Sequence, residues 1–419
     1  MLADLLYRIY AYQIFKSVAF RGGMAYLTVY LIINFVMPWM IRRFRRLGIN
    51  SDFKPVENSA GPYRGATPIM GGLLLIPAII VAVVLWAWLN PFTLALIWIT
   101  FAFAAIGAWD DGAKVLHKRR VLTGKEEKKS YADKADGIPG SIRLGLEFLA
   151  TLLALVGLHW FGGGLDLHLH IPFFPLKTAF PLLTVEVFLV FAALVIVGGA
   201  NAVNLTDGLD SLASVPIVTC ATFAMAAAYI AGDAAWSERL LLPFLKPEIK
   251  EVVVFAIALI SACFAFLKFN SPPASIYMGD VGSLGLGAAV CTMFVLVKAE
   301  LFLPIAGGAF VLAAISTILQ RLWFKLALWR KGRDWALKNR LFYRAPYHHH
   351  QQMLITYKEQ GHEVHSLWHN LMNKLGFHII PDEDKFLSTE QVNNKVIWSS
   401  HLRSVLLLVI ALMVYFKVR

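Results

Sequence analysis

Long apolar stretches alternate with polar connections along most of this chain. A helix needs roughly 20 mostly apolar residues to cross the hydrocarbon core of a bilayer, and ten stretches come close to that length. The pattern therefore predicts an all-α, polytopic membrane protein with about ten transmembrane helices. The predicted spans are 20–41, 70–89, 92–109, 142–161, 181–199, 211–231, 252–269, 284–298, 302–328 and 402–416.

The composition agrees with a chain that lipid covers. Hydrophobic residues make up 58% of the chain and charged residues only 16%, so its apolar surface is too large for one soluble core. No internal repeat divides the sequence, and residues 1–419 are predicted to form a single integral-membrane domain. The three cysteines are scattered in apolar runs, which indicates neither a metal site nor a disulfide framework.

Basic residues distinguish the two sides of the membrane. The connections after odd-numbered spans are rich in Lys and Arg, whereas those after even-numbered spans hold few. Because cytoplasmic loops carry the excess of positive charge, we expect the basic loops in the cytoplasm and both termini on the outside. The net charge of +12 then reflects orientation and attraction to anionic lipid or phosphate, and no nucleic-acid partner is expected.

Four polar motifs interrupt the apolar pattern, and each follows an odd-numbered span. We therefore expect all of them on the cytoplasmic face, where they would line one cleft. They are GAWDDGAK (107–114), NAVNLTDGLDS (201–211), FNSPPASIYMGDVGS (269–283) and RAPYHHH (344–350).

The carboxylates of these motifs are the candidate catalytic and metal-binding groups. Carboxylates at membrane depth are costly and are usually functional. Asp110 and Asp111 are adjacent, so on a helix they diverge by about 100° and can serve different partners. Asp280 stands between glycines before the eighth predicted span. Hard oxygen ligands from several segments, together with substrate phosphate, are how proteins hold Mg²⁺.

The second motif combines carboxylates with helix-capping residues. Asp207 and Asp210 are three residues apart and share one face if this segment begins the sixth helix. Asn204 and Thr206 would cap the start of that helix, whose free N–H groups favour anions such as phosphate. Gly208 would let the backbone approach a ligand closely.

Basic and aromatic side chains complete the predicted site. Lys114 and Lys118, one helical turn apart, would counter the charge of a diphosphate, and the ring of Tyr277 offers a surface for a base. Neighbouring histidines point in different directions on a helix. We therefore favour hydrogen bonds to phosphate over metal ligation for His348 to His350.

These features favour Mg²⁺-dependent phosphoryl transfer between a soluble nucleotide and a membrane lipid. An ion-coupled transporter is a less favoured alternative, because its polar residues would lie near the bilayer midplane rather than at one interface. A non-catalytic scaffold would not need four polar motifs on one face.

In their order along the chain, the long motifs resemble those of the phospho-N-acetylmuramoyl-pentapeptide transferase family. That family belongs to the polyprenyl-phosphate N-acetylhexosamine-1-phosphate transferases. The motifs are GAWDDGAK, GGANAVNLTDGLDSLA, FNSPPASIYMGDVGSLGLGA and APYHHH, with TPIMGG after the first span and the terminal KVR.

The resemblance implies a ten-helix homodimer of the bacterial inner membrane with periplasmic termini and a cytoplasmic active-site cleft. It also implies transfer from UDP-MurNAc-pentapeptide to undecaprenyl phosphate, which gives lipid I and UMP. A sister enzyme that transfers GlcNAc-1-phosphate is the alternative, and APYHHH favours the muramoyl branch.

The resemblance assigns roles residue by residue. It implies catalytic roles for Asp110, Asp111, Asp280 and His348, with Mg²⁺ bound by Asp111 and Asp280. It implies substrate contacts for Arg64, Lys114, Lys118, Asn204, Asp207, Gly208, Leu209, Asp210, Asn270, Tyr277, His349 and His350. The chain departs from the family at Tyr277, where Phe is usual, at Arg64, where Lys is common, and in a predicted cytoplasmic insertion at 351–394.

Overall fold

The computed structural model describes residues 2–50, 67–122, 137–162, 164–174, 183–359, 366–368 and 389–417. Within these ranges the chain forms helices and short 3-10 turns, without a β-strand. The helices are α1 (Leu2–Tyr10), α2 (Val18–Leu47), α3 (Gly72–Trp86), α4 (Pro91–Leu122), α5 (Gly140–Phe161), α6 (Val185–Thr206), α7 (Ser214–Ala231), α8 (Ala234–Leu240), α9 (Glu251–Asn270), α10 (Gly279–Leu296), α11 (Leu303–Ala306), α12 (Gly308–Lys331), α13 (Arg333–Lys338), α14 (Tyr347–Glu359) and α15 (Thr389–Lys417).

Nine of the described helices are long and apolar enough to cross a membrane. They are α2, α4, α5, α6, α7, α9, α10, α12 and α15. The apolar helix α3 has 15 residues and ends at Trp86, and the extended backbone of Ala87 leads to the start of α4 at Pro91. The prediction of an all-α polytopic membrane protein is confirmed, with nine described helices long enough to span the bilayer and α3 as a shorter apolar helix.

Helix α10 lies at the centre of the bundle. Every residue from Val281 to Leu296 is buried, and the helix packs against α3, α4, α6 and α7. A glycine permits the closest approach, since a Cβ on Gly72 of α3 would lie 2.2 Å from the backbone nitrogen of Gly282. Small residues allow membrane helices to pack backbone against backbone. This packing fixes the first turn of α10, which carries Asp280.

A buried ion pair joins α2 and α9 at their first turns, far from the polar motif that follows α9. The Arg21 guanidinium donates to both carboxylate oxygens of Glu251, at 2.5 and 2.7 Å, and to the carbonyl of Trp86. Because both charges are desolvated, removing either one would leave the other buried without a counter-charge. The pair therefore fastens α2, α3 and α9 together at that end.

Several helix bounds differ from the predicted ones. Helix α4 continues to Leu122, so the Asp110–Asp111 pair lies inside a helix rather than at its end. Helix α15 begins at Thr389, well before the predicted start at 402. The predicted insertion is therefore described in part, because 351–359 continue α14 and 389–394 begin α15, while 360–365 and 369–388 lie outside the described residues.

The prediction that Asn204 and Thr206 cap the start of the following helix is wrong. Helix α6 runs through both residues and ends at Thr206, and α7 begins only at Ser214. The Thr206 hydroxyl donates to the carbonyl of Ala202, one turn back in α6. Gly199, before this motif, lies inside α6, where a Cβ would come within 2.3 Å of the Cys291 Sγ of α10.

Candidate active site

Three carboxylates from two helices surround one ammonium group. The Lys114 Nζ lies 2.8 Å from Asp110, 2.9 Å from Asp280 and 3.6 Å from Asp111. Asp110 and Asp111 are each 4% exposed, so their charges depend on nearby cations and hydrogen bonds. The structure thus brings the first and third motifs together, as the predicted common cleft requires. We call these four residues the carboxylate cluster.

The crossing of α4 and α10 positions the cluster. Gly107 lies one turn before Asp110, and a Cβ there would come within 2.3 Å of the Asp280 carbonyl oxygen. The Asp111 carboxylate accepts a hydrogen bond from the backbone N–H of Val281, in the first turn of α10. A carboxylate at a helix start is stabilised by the free N–H groups and the helix dipole.

The loop before α5 closes the cluster on another side. The Asp110 carboxylate accepts a hydrogen bond of 2.7 Å from the backbone N–H of Ile138. The second oxygen of Asp110 faces Lys114. One oxygen of Asp110 is therefore fixed by the backbone of Ile138, and the other contacts the ammonium group of Lys114.

The donor set of the cluster fits Mg²⁺, which prefers hard oxygen ligands. The ammonium of Lys114 already shows that a cation is stable between Asp110 and Asp280. Among the described residues, no three His, Cys, Asp or Glu side chains are arranged to hold a metal ion as they stand. The carboxylates close around the ammonium instead. Asp111 and Asp280 stay predicted Mg²⁺ ligands, on the ground of their chemistry and their place beside that cation.

Three side chains to which the family resemblance assigned no role lie beside or behind the carboxylate cluster. Arg143 of α5 reaches to within 3.8 Å of Asp110 and 3.7 Å of Asp280. Behind it lie Glu147, one turn further along α5, and Asn201 of α6. The signal that could have revealed them is Glu147 itself, an acidic residue inside an apolar predicted span.

The second motif forms the end of α6 and most of the turn between α6 and α7. The Asn204 side chain accepts a hydrogen bond of 2.8 Å from the Ser283 hydroxyl of α10, and Asp210 accepts one of 3.0 Å from the N–H of Ala274. These bonds join the second motif to the third. Both residues therefore fix the end of α6 and the turn after it against the third motif.

Asp207 directly follows the last residue of α6 and lies among other acidic groups. Burial of its carboxyl group, and after that the charges of Asp280, Asp111 and Asp210, raise the pKa of Asp207 to about 7. The group is therefore poised between its neutral and charged forms near neutral pH. A cation in the cluster would favour the charged form.

Asn270 has a structural role in the same region. Its side-chain oxygen accepts from the N–H of Ser211, and its side-chain nitrogen donates to the carbonyl of Ile276. The residue is 3% exposed. The amide thus ties the turn after α6 to the segment before α10, and its predicted contact with substrate stays a prediction.

The three histidines of the fourth motif have separate environments. His348 is buried and lies against the turn at Gly208, where a Cβ would come within 2.6 Å of its Nε2. His349 pairs with Gln352, with Nδ1 and Oε1 2.6 Å apart. His350 is fully buried among aromatic rings, and its Nδ1 accepts from the N–H of Tyr343. The structure therefore brings His348 and His349, but not His350, to the turn after α6.

We expect His348 to act as a neutral group. Burial, and after that the electrostatic effects of His349 and Arg344, lower the pKa of His348 to about 3. The imidazole is therefore neutral above that pH and gains a proton only below it. The His348→Gln variant should lose activity but keep the shape of the pH–rate profile between about pH 5 and 9. A lost acidic or basic limb in that range would show that His348 titrates during turnover.

The remaining predicted residues are placed as follows. The Lys118 ammonium donates to the carbonyl of Asn50 at 3.1 Å, beyond the cluster along α4. The backbone of Tyr277 bonds with Pro68 and Gly71, which joins the segment before α10 to the start of α3. Leu209 lies in the turn after α6. Arg64 lies outside the described residues.

Comparison with known proteins identifies the family. The model of glycosyl transferase family 4 matches residues 92–298. A phospho-N-acetylmuramoyl-pentapeptide-transferase of Neisseria gonorrhoeae (strain NCCP11945) is 38% identical over 341 residues, which cover 81% of this chain and 87% of that protein. This chain belongs to the phospho-N-acetylmuramoyl-pentapeptide transferase family. Its relative from Koribacter versatilis (strain Ellin345), of the same name, is 35% identical over 372 residues, or 84% of this chain and 90% of that protein.

The family assignment confirms the resemblance read from the motifs. This transferase is a multi-pass membrane protein, and the matched segment 92–298 contains the carboxylate cluster, Arg143 and the turn after α6. The triple-histidine motif follows that segment. The roles of individual residues stay predictions, which the experiments below address.

Proposed function

We propose that this transferase moves phospho-MurNAc-pentapeptide from UDP-MurNAc-pentapeptide to undecaprenyl phosphate and releases lipid I and UMP. The observation that carries the proposal is the carboxylate cluster with two cations, Lys114 and Arg143, at one end of an apolar helix bundle. A diphosphate needs cations, a hard metal needs carboxylates, and a lipid acceptor needs a site that opens to the membrane. The names of the relatives support this choice of donor.

The proposed reaction is a substitution at phosphorus. An oxygen of the lipid phosphate attacks the sugar-bound phosphorus, and the bond from that phosphorus to the oxygen of UMP breaks. Asp110 is the residue that orients the lipid phosphate or accepts its proton, since one of its oxygens is fixed by the backbone. Lys114 and Arg143 neutralise the diphosphate. Mg²⁺ bound by Asp111 and Asp280 would stabilise the charge on the phosphate oxygens.

We propose an orientation in which the cluster faces the cytoplasm and both termini face the periplasm of a bacterial inner membrane. The basic loops support this orientation, because positive residues are retained on the cytoplasmic side. A soluble nucleotide-sugar donor would reach the cluster from that side.

A homodimer is proposed on the family resemblance alone, and light scattering of the purified protein in detergent tests it.

A sister activity is the second candidate. The family that matches residues 92–298, glycosyl transferase family 4, is not named for one sugar donor, and the same carboxylates and cations would equally serve a UDP-GlcNAc donor. An ion-coupled transporter is less favoured, because the acidic groups converge at the end of the bundle that carries the basic loops.

A transfer assay tests the proposal. Purified protein in detergent is mixed with undecaprenyl phosphate, Mg²⁺ and either UDP-MurNAc-pentapeptide or UDP-GlcNAc, and the release of UMP is followed. Release with the muramoyl donor only, abolished by EDTA, is the expected result. Release with UDP-GlcNAc instead would assign the sister activity. No release with either donor from folded protein would contradict both transfer reactions.

A further inference from the structure

A fully buried acidic side chain in α5 lies outside the carboxylate cluster. Glu147 is 0% exposed and lies in the apolar part of a membrane-spanning helix. An ionisable group at such a position is costly unless it is paired, and it usually has a function. One oxygen of Glu147 accepts a hydrogen bond of 2.6 Å from the Asn201 amide, and the other lies 3.5 Å from Nε of Arg143.

The three side chains form a closed triangle. Arg143 donates from one terminal nitrogen to the Asn201 side-chain oxygen at 3.0 Å, so each of the three contacts the other two. The second terminal nitrogen of Arg143 lies 3.8 Å from Asp110 and 3.7 Å from Asp280. The guanidinium is thus held along one edge by Glu147 and Asn201, and its opposite edge faces the carboxylate cluster.

The two cations beside the cluster are therefore held in different ways. The described ion pairs of Lys114 are with the three cluster carboxylates, and its side chain is 39% exposed. A metal ion that took those carboxylates would remove these partners from Lys114. The anchoring partners of Arg143 lie outside the cluster, and its side chain is only 23% exposed. Arg143 can therefore keep its orientation when metal and diphosphate occupy the cluster.

We infer that Glu147 and Asn201 are positioning residues that hold the Arg143 guanidinium against the place where the donor diphosphate binds. This inference rests on the proposed function. A free Arg side chain loses rotamer entropy when it binds a ligand, and an anchored one has lost that entropy on folding. The planar guanidinium can bind two partners along different edges, which an ammonium cannot do. Glu147 acts through Arg143 and does not contact substrate.

A double-mutant cycle on UDP binding tests the inference. Binding of UDP in Mg²⁺ buffer is measured by calorimetry for wild type, Glu147→Gln, Arg143→Ala and the double variant. We expect Glu147→Gln to weaken UDP binding roughly tenfold when Arg143 is present and less than twofold in the Arg143→Ala background. Such non-additivity is the sign of one residue that acts through another. Equal weakening in both backgrounds, or none in either, overturns the inference.

A second variant and a matched control make the test robust to misfolding. Asn201→Ala removes the other anchor and should show the same dependence on Arg143, which keeps the test decisive if Glu147→Gln does not fold. Glu251→Gln alters a second Arg–Glu pair of the described residues, that of Arg21 and Glu251, far from the cluster. The Glu251→Gln variant should have a lower melting temperature, and the UDP affinity of the folded protein should be unchanged. A loss of UDP affinity in Glu251→Gln equal to that in Glu147→Gln would show that any buried pair has this effect, and it would overturn the inference.

The same measurements separate this inference from the proposed function. UDP binding that depends on the triangle, without UMP release from either donor, refutes the transfer reaction and supports the positioning role. If UMP is released but the effects of the Glu147 and Arg143 substitutions on UDP binding simply add, the transfer reaction is supported and the positioning role is refuted. A folded wild-type protein that binds no UDP overturns both.

Discussion

Asp280→Asn should abolish UMP release at every Mg²⁺ concentration. Asn has nearly the same volume as Asp but carries no negative charge, so the packing of α10 is kept while the predicted metal ligand is lost. Asp280 also holds Lys114 at 2.9 Å, and that contact would weaken as well. We expect a loss of at least about 1,000-fold in rate, or roughly 4 kcal/mol in barrier. The measurement is the UMP assay over a Mg²⁺ titration.

Asp233→Asn is the matched control for this prediction. Asp233 caps the start of α8 and pairs with Lys250 at 2.6 Å, at the end of α7 that lies away from the cluster. It should retain wild-type turnover. Should Asp280→Asn keep a tenth of wild-type activity or more, a barrier change below about 1.4 kcal/mol, then Asp280 does not bind an essential metal.

Gly107→Ala should impair both folding and turnover. The added methyl would lie 2.3 Å from the carbonyl oxygen of Asp280 and 2.7 Å from the backbone nitrogen of Val281, so α4 and α10 must separate. Overpacking of this kind typically costs ~1–3 kcal/mol. A shift of about 1 Å in a reacting group can lower a rate roughly 100-fold. We expect a lower melting temperature in detergent and a loss of turnover of that order in the protein that remains folded.

Gly157→Ala provides the control for the added methyl group. Gly157 lies in α5, and a Cβ there would meet no atom within 4 Å. Alanine favours a helix over glycine by up to about 1 kcal/mol, so this variant should match or exceed wild type in melting temperature. Normal turnover in Gly107→Ala would mean that α10 can shift without moving Asp280, and the close crossing would then not position the cluster.

The predictions from sequence succeeded where they depended on length and polarity. The spanning helices followed from apolar stretches, because hydrocarbon requires about 20 apolar residues whatever the fold. The order of the spans predicted that Asp110, Asp111 and Asp280 lie on one side of the membrane, and the crossing of α4 and α10 brings the three carboxylates together.

Predictions that depended on where helices end were less secure. The segment with Asn204 and Thr206 reads equally well as the end of one helix or the start of the next. The structure assigns it to the end of α6, which runs to Thr206 and whose Asn204 side chain bonds to Ser283 of α10. Polar residues suit both kinds of helix end, so the local sequence could not decide.

The sequence by itself determined that this is a membrane protein of about ten helices with its acidic, basic and histidine motifs on one side. Those properties depend on how side chains partition between water and lipid. That partitioning is determined by the residues of each segment, without contacts to other segments. Only the tertiary structure decided that Arg143, Glu147 and Asn201 form a triangle beside the carboxylate cluster, and that His350 is buried away from it. Such contacts depend on how α5, α6, α10 and α14 pack. That packing is set by close approaches between residues far apart in sequence, which no local pattern records.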